Sequence, residues 1–134
     1  MGSNDDIAII QAAYAAFGRG DIEAILAACA DDVDWAADTQ SDAAPWYGVR
    51  VGKQAVGQFF EDVGKTIEIT DFTPLTFAAN DDGDVFSIVR WAWTARETGK
   101  TASMTLHHWW KVAGGKIVFF RGAEDTPTTL AALA

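Results

Sequence analysis

Two strongly β-prone runs, 103–112 and 117–125, stand either side of Ala113-Gly114-Gly115-Lys116. No other stretch restricts the fold as much. Apolar, β-branched and aromatic residues fill both runs. A Gly-Gly centre accepts the positive φ angles of a tight reversal, so the segment reads as an antiparallel hairpin. Side chains alternate across a strand. His107 and His108 therefore leave the first strand on opposite faces, as do Trp109 and Trp110. Adjacent histidines arranged this way cannot chelate one metal ion.

The same alternation extends to the preceding run, 85–97. One set there is Val85, Ser87, Val89, Trp91, Trp93 and Ala95, with no charge, and it is expected to face inward. On the first hairpin strand the more apolar set is Met104, Leu106, His108, Trp110 and Val112, which brings His108 inside. The opposite face carries His107, Trp109, Phe119, Phe86 and Ile88. That face is too apolar to leave wet, so a partner subunit is expected to cover it and form a homodimer. On the second hairpin strand both alternating sets begin apolar and end acidic, and periodicity leaves its facing open.

The N-terminal half reads as helices. In residues 5–18, Ile7, Ile10, Tyr14 and Phe17 make one apolar stripe at helical steps, behind Asn4, Asp5 and Asp6. Asp21 can cap a second helix, 22–30, and a third follows at 52–64 with Val56, Phe59, Phe60 and Val63 on one face. Between them 31–38 is a short strand, with Val33, Trp35 and Ala37 alternating, and 39–51 reads as a loop. Trp46 and Tyr47 in that loop fit either a lid over an apolar opening or simple packing onto the body. Strands are expected at 66–70 and 72–79 with a bend at Pro74, then a turn at 80–83, and a short helix at 126–133. Helices grouped against one antiparallel sheet make an α+β layout.

At 134 residues the chain fits one domain. Its net charge of −9, from 19 acidic and 10 basic residues, argues against nucleic acid or anionic membranes as partners and leaves a neutral organic ligand compatible. The single cysteine, Cys29, lies among Ile25, Leu26 and Ala28 and reads as a small buried apolar residue. No signal-peptide pattern or membrane-length apolar run is present, so a cytoplasmic location is expected. No phosphate loop, metal-ligand spacing, Ser-His-Asp or Cys-His arrangement is found, so no cofactor or metal is expected.

Several stretches resemble the SnoaL-like polyketide cyclase domains of the NTF2-like superfamily, which also contains ketosteroid isomerases. These are Gly20-Asp21-Ile22-Glu23-Ala24-Ile25 with Ala30-Asp31-Asp32-Val33-Asp34-Trp35; Tyr47-Gly48 with Gly52-Lys53-Gln54-Ala55-Val56 and Phe59-Phe60; and Gly115 to Arg121 closing with Asp125-Thr126. The resemblance covers nearly the whole chain. It implies a cone in which three N-terminal helices pack in a strongly curved, mixed, mostly antiparallel sheet enclosing a pocket, with dimers through the outer face. It also implies that Val118, Phe120, Gly122 and Glu124 face the pocket and Arg121 faces out. The isomerase machinery does not carry over. Its proton-shuttling Asp position holds Ala37, with Asp38 next; its Tyr position holds Ala13, one before Tyr14; its second oxyanion donor position holds His108.

His108 is the leading chemical candidate, as general base or hydrogen-bond anchor, with Asp38 or Glu124 as its partner. Tyr14 could offer its hydroxyl, and Trp35, Trp46, Tyr47, Phe59, Phe60, Trp91, Trp93, Trp110 and Phe120 would wall the pocket. Three functions fit: cofactor-free acid/base catalysis of isomerase, cyclase or hydrolase type on a hydrophobic carbonyl or ring compound; small-molecule binding without catalysis; or a dimeric scaffold with a filled cavity.

Overall fold

The computed structural model describes residues 2–134. In chain order the elements are α1 (Ser3–Gly18), α2 (Ile22–Ala28), β1 (Cys29–Ala37), β2 (Gly48–Val51), α3 (Lys53–Thr66), β3 (Ile67–Ala79), β4 (Asp84–Ala95), β5 (Thr101–Ala113), β6 (Lys116–Ala123) and α4 (Thr126–Leu133). The six strands form one open mixed sheet in the order β2-β1-β6-β5-β4-β3. Among the described residues only the β1–β6 pair is parallel. The fold is α+β, as the element order implies.

Local chemistry sets the helix ends. The Asp21 carboxylate accepts from the Ala24 N–H at 3.1 Å and opens α2. α2 stops at Ala28, earlier than helical periodicity predicts, because buried Cys29 adopts extended geometry and pairs with Ile117 of β6. α1 packs on β3 and β4, α3 on β1, β2 and β3, and α4 on β5 and β4. Ile10, Val56 and Ile67 are completely enclosed between these layers.

Two sheet features depart from the sequence reading. Residues 48–51, expected within a loop, form β2 against the outer side of β1. As an edge strand β2 leaves Val49 and Val51 exposed, so it lacks the buried alternation by which strands are recognised. The two strands expected at 66–70 and 72–79 are one, β3, with register shifts between Ile69 and Asp71 and between Pro74 and Thr76. β3 is the other edge, where a proline costs the sheet no internal hydrogen bond.

β4 meets the expectation directly: Val85, Ser87, Val89, Trp91, Trp93 and Ala95 are all buried. In the β4–β5 ladder Ser87 stands opposite His108, and Trp91 opposite Met104. β6 resolves through a bulge. Lys111 pairs with Phe119 and Val112 with Ile117, leaving Val118 as the extra residue. Both Ile117 and Phe120 therefore face the core. The register implied by the resemblance holds for Phe120, Gly122 and Glu124, whereas at its start the inward position goes to Ile117 instead of Val118. No helix is long and apolar enough to cross a membrane among the described residues.

Candidate functional site

The helices and the inner face of the sheet enclose a cavity of about 90 Å³, space for several waters or a small organic molecule. Its walls are almost wholly aromatic and aliphatic. Of the predicted wall residues, Trp35, Trp46, Phe59 and Phe60 line it, as do Trp91, Trp110 and Phe120. Tyr14, His108 and Glu124 are its titratable lining residues. Trp35 and Phe120, neighbours across the parallel β1–β6 pair, bring their ring centroids to 4.4 Å. Gly122 opens room beside them: a Cβ there would lie 2.8 Å from Phe120 Cζ and 3.3 Å from His108 Cδ2.

The Tyr14 hydroxyl is the hub of the polar cluster. It lies 2.7 Å from His108 Nδ1 and accepts from the Trp110 indole N–H at 3.1 Å. It also bonds the Ser87 hydroxyl. Burial raises the Tyr14 phenol to about 12, against the lowering effect of its bonds to Ser87 and Trp110, and it stays protonated at neutral pH. Burial pushes the His108 imidazole down to about 3, with His107 adding to the effect. His108 is therefore neutral. Its Nδ1 is occupied by Tyr14, while Nε2 has no protein partner among the described residues.

Glu124 forms a second cluster. One carboxylate oxygen accepts from the Trp46 indole N–H at 3.0 Å; the other accepts from the Tyr47 hydroxyl at 2.9 Å and the Thr129 hydroxyl at 2.6 Å. Burial, then the Glu124 charge, raise the Tyr47 phenol to about 12, so it remains a donor. The carboxylate thereby fastens the 38–47 connection and α4 to the cavity rim.

Several expectations change. His108 is paired with Tyr14 and not with Asp38 or Glu124. Asp38 is exposed just past the end of β1, where it does not line the cavity; Ala37 lines it instead. One step along a strand end exchanges inside for outside. Trp46 and Tyr47 are 1 % and 7 % exposed; they are packed into the body, and only Trp46 touches the cavity. Trp93 is core, packed against Trp46 and Trp91 away from the cavity. Ser87 and Thr129 went unassigned by the sequence reading. Ser87 was detectable as the one polar residue in the inward set of β4, opposite His108 in the hairpin register. Thr129 gave no comparable signal. His107 and His108 face apart, and no group of three or more His, Cys, Asp or Glu side chains is placed to hold a metal among the described residues.

No curated protein matches the chain. Solved structures match it over nearly their full length. An NTF2-like protein from Burkholderia xenovorans LB400 is 23 % identical with a TM-score of 0.88, covering 100 % of this chain and 99 % of its own. TerC, co-crystallised with polyporic acid, is 24 % identical with a TM-score of 0.85 over 96 % of this chain and 98 % of its own. A Xanthomonas campestris protein named as a polyketide cyclase is 21 % identical with a TM-score of 0.76 over 100 % of both chains. At these identities the likeness establishes the NTF2-like fold alone. The family model for the SnoaL-like domain matches residues 10–120. With that match over most of its length, on the fold just described, the chain belongs to the SnoaL-like domain family.

Proposed function

We propose that the protein binds a small hydrophobic molecule in the aromatic cavity, with His108 as its polar anchor. One observation carries this reading: in an otherwise apolar cavity, the His108 ring is fixed at Nδ1 by Tyr14 while Nε2 has no protein partner among the described residues. Apolar pockets with a few placed polar groups are the usual form of small-molecule sites. The catalytic version of the reading is cofactor-free chemistry of isomerase, cyclase or hydrolase type on a carbonyl or ring compound. The fold hosts varied chemistry, since its solved neighbours include proteins named as a polyketide cyclase and an LEH-like epoxide hydrolase. An imidazole held near 3 is too weak a base for efficient proton abstraction at neutral pH. His108 therefore acts by hydrogen bonding in this reading.

The test is a thermal-shift and calorimetric screen of small ring compounds, with polyporic acid, the TerC co-crystallisation compound, included. A ligand at about a hundred times its Kd stabilises the native state by about 2.7 kcal/mol. Saturable binding that weakens in His108→Phe supports the proposal, and a cavity that takes no member of the panel overturns it. Product formation from a bound compound, lost in His108→Phe with the fold intact, separates catalysis from binding alone.

A further inference from the structure

The hydrogen atoms of the Tyr14 cluster can be placed by counting. A phenol oxygen carries one hydrogen and accepts at most two hydrogen bonds. Three groups meet it here: Trp110 Nε1, Ser87 Oγ and His108 Nδ1. The indole can only donate. Of the other two contacts, Tyr14 donates one and accepts one. If Tyr14 donated to Ser87, the buried Ser87 hydroxyl would have no acceptor for its own hydrogen among the described residues, and a buried unpaired donor costs about 1–3 kcal/mol. If Tyr14 donates to His108 Nδ1 and Ser87 donates to Tyr14, every hydrogen in the cluster has a partner. The imidazole is then the tautomer with its hydrogen on Nε2.

A second observation points the same way. Trp35 lines the cavity, and its buried Nε1–H has no acceptor among the described residues. Trp93 has a similar unpaired N–H, but away from the cavity. Glu124 already accepts three hydrogen bonds. The cavity-wall groups left without a partner among the described residues are His108 Nε2, in its Nε2–H tautomer, and the indole N–H groups of Trp35 and Trp91, and all of them are hydrogen donors.

We infer that Tyr14 is a positioning residue that locks His108 as an Nε2–H donor, and that the site selects ligands presenting a neutral hydrogen-bond acceptor, such as a ketone, quinone or ester oxygen, over donor-only molecules. This rests on the cavity being a ligand site. Among the described residues no Lys or Arg lines the cavity, and Glu124 is one of its walls, so a carboxylate-bearing ligand is disfavoured.

Two measurements test it separately. Nitrogen-15 NMR on the His107→Gln variant leaves one histidine signal, because the chain has only two. The pattern of an Nε2–H tautomer near neutral pH is the expected result, while an Nδ1–H tautomer or an imidazolium overturns the inference whether or not any ligand is known. The second compares 1-indanone, indane and indole by calorimetry: one ring frame presenting an acceptor, no polar group, and a donor. Indanone is expected to bind about tenfold more tightly than either, as one well-made buried hydrogen bond implies, and His108→Phe is expected to remove that preference. Equal or tighter binding of indole overturns the inference while leaving the cavity a ligand site. Failure of all three to bind counts against the ligand-site reading, and the tautomer is still decided by NMR.

Discussion

The Tyr14 oxygen joins α1 to β4 and β5 at one point, through groups otherwise surrounded by hydrocarbon. Tyr14→Phe leaves the Trp110 N–H, the Ser87 hydroxyl and His108 Nδ1 without their shared partner. At about 1–3 kcal/mol for each stranded group, offset by any water that enters, a loss of about 3 kcal/mol is expected in urea denaturation. His108 adds a pH dependence. Unfolded, it takes a proton near 6.5; folded, it stays neutral down to about 3. The unfolded chain therefore binds more protons between those values. The stability His108 contributes is complete above 6.5 and is lost as pH falls toward 3, at a slope approaching about 1.4 kcal/mol per pH unit. Its hydrogen-bond partner does not titrate in that window, since Tyr14 is raised to about 12, and Ser87 and Trp110, which share the Tyr14 hydroxyl, carry no charge; His107→Gln removes the neighbour whose charge acts on it. Denaturation between pH 6 and pH 5 is expected to show the slope in the native protein and in His107→Gln, and to lose most of it in His108→Phe. The inward facing of His108 and its aromatic surroundings were legible from alternation alone. Its partner was not, because Tyr14 lies 94 residues away and their meeting depends on how α1 is rotated over the sheet. Asp38 shows the converse error, a residue of suitable chemistry one step beyond the strand that would have aimed it inward.

At the scale of elements, Glu124 decides where the 38–47 connection lies. Its three donors come from that connection and from α4, so one carboxylate holds two segments that make few other polar contacts with the sheet. A hydrogen bond to a charged group is worth about 1.5–3 kcal/mol, enough to hold local opening down by tenfold or more. Glu124→Ala is therefore expected to speed amide hydrogen exchange around Trp46 and Tyr47 by about tenfold or more, with β4 and β5 unchanged. Equal rates in both proteins would show that aromatic packing alone holds the connection. Trp46 and Tyr47 could be identified in the sequence as aromatics in search of a surface, but nothing in their own segment identified Glu124 as the anchor. β6 was ambiguous for a physical reason. The bulge at Val118 breaks strict alternation, so neither two-residue set could be correct along the whole strand. β2 gave no signal because neither of its valines is buried.

For the whole molecule, the α+β class and the order of helices before a meander were legible, because each element carries its own period. The outer face bears on assembly. Phe86 and Trp109, 45 % and 39 % exposed, stack there with centroids 6.4 Å apart. Trp109 also meets Phe119 at 4.9 Å, and Arg121 lies over the Phe119 ring at 4.4 Å. A second copy covering this patch is the proposed homodimer. Sedimentation velocity is expected to show a dimer that Phe86→Lys with Trp109→Lys converts to monomer, and a native monomer at high concentration would refute it. What no local pattern could reveal is the parallel pairing of β1 with β6, which sets Trp35 against Phe120 across most of the chain. That pairing governs the order of events during synthesis. β3, β4 and β5 can form a meander as they emerge, but β1 and β2 have no sheet to join until β6 has left the ribosome. Nascent chains stalled before β6 are expected to remain cleavable by protease throughout α1 to β2, and the cavity gains its Phe120 and Gly122 wall only once the last strand is in place.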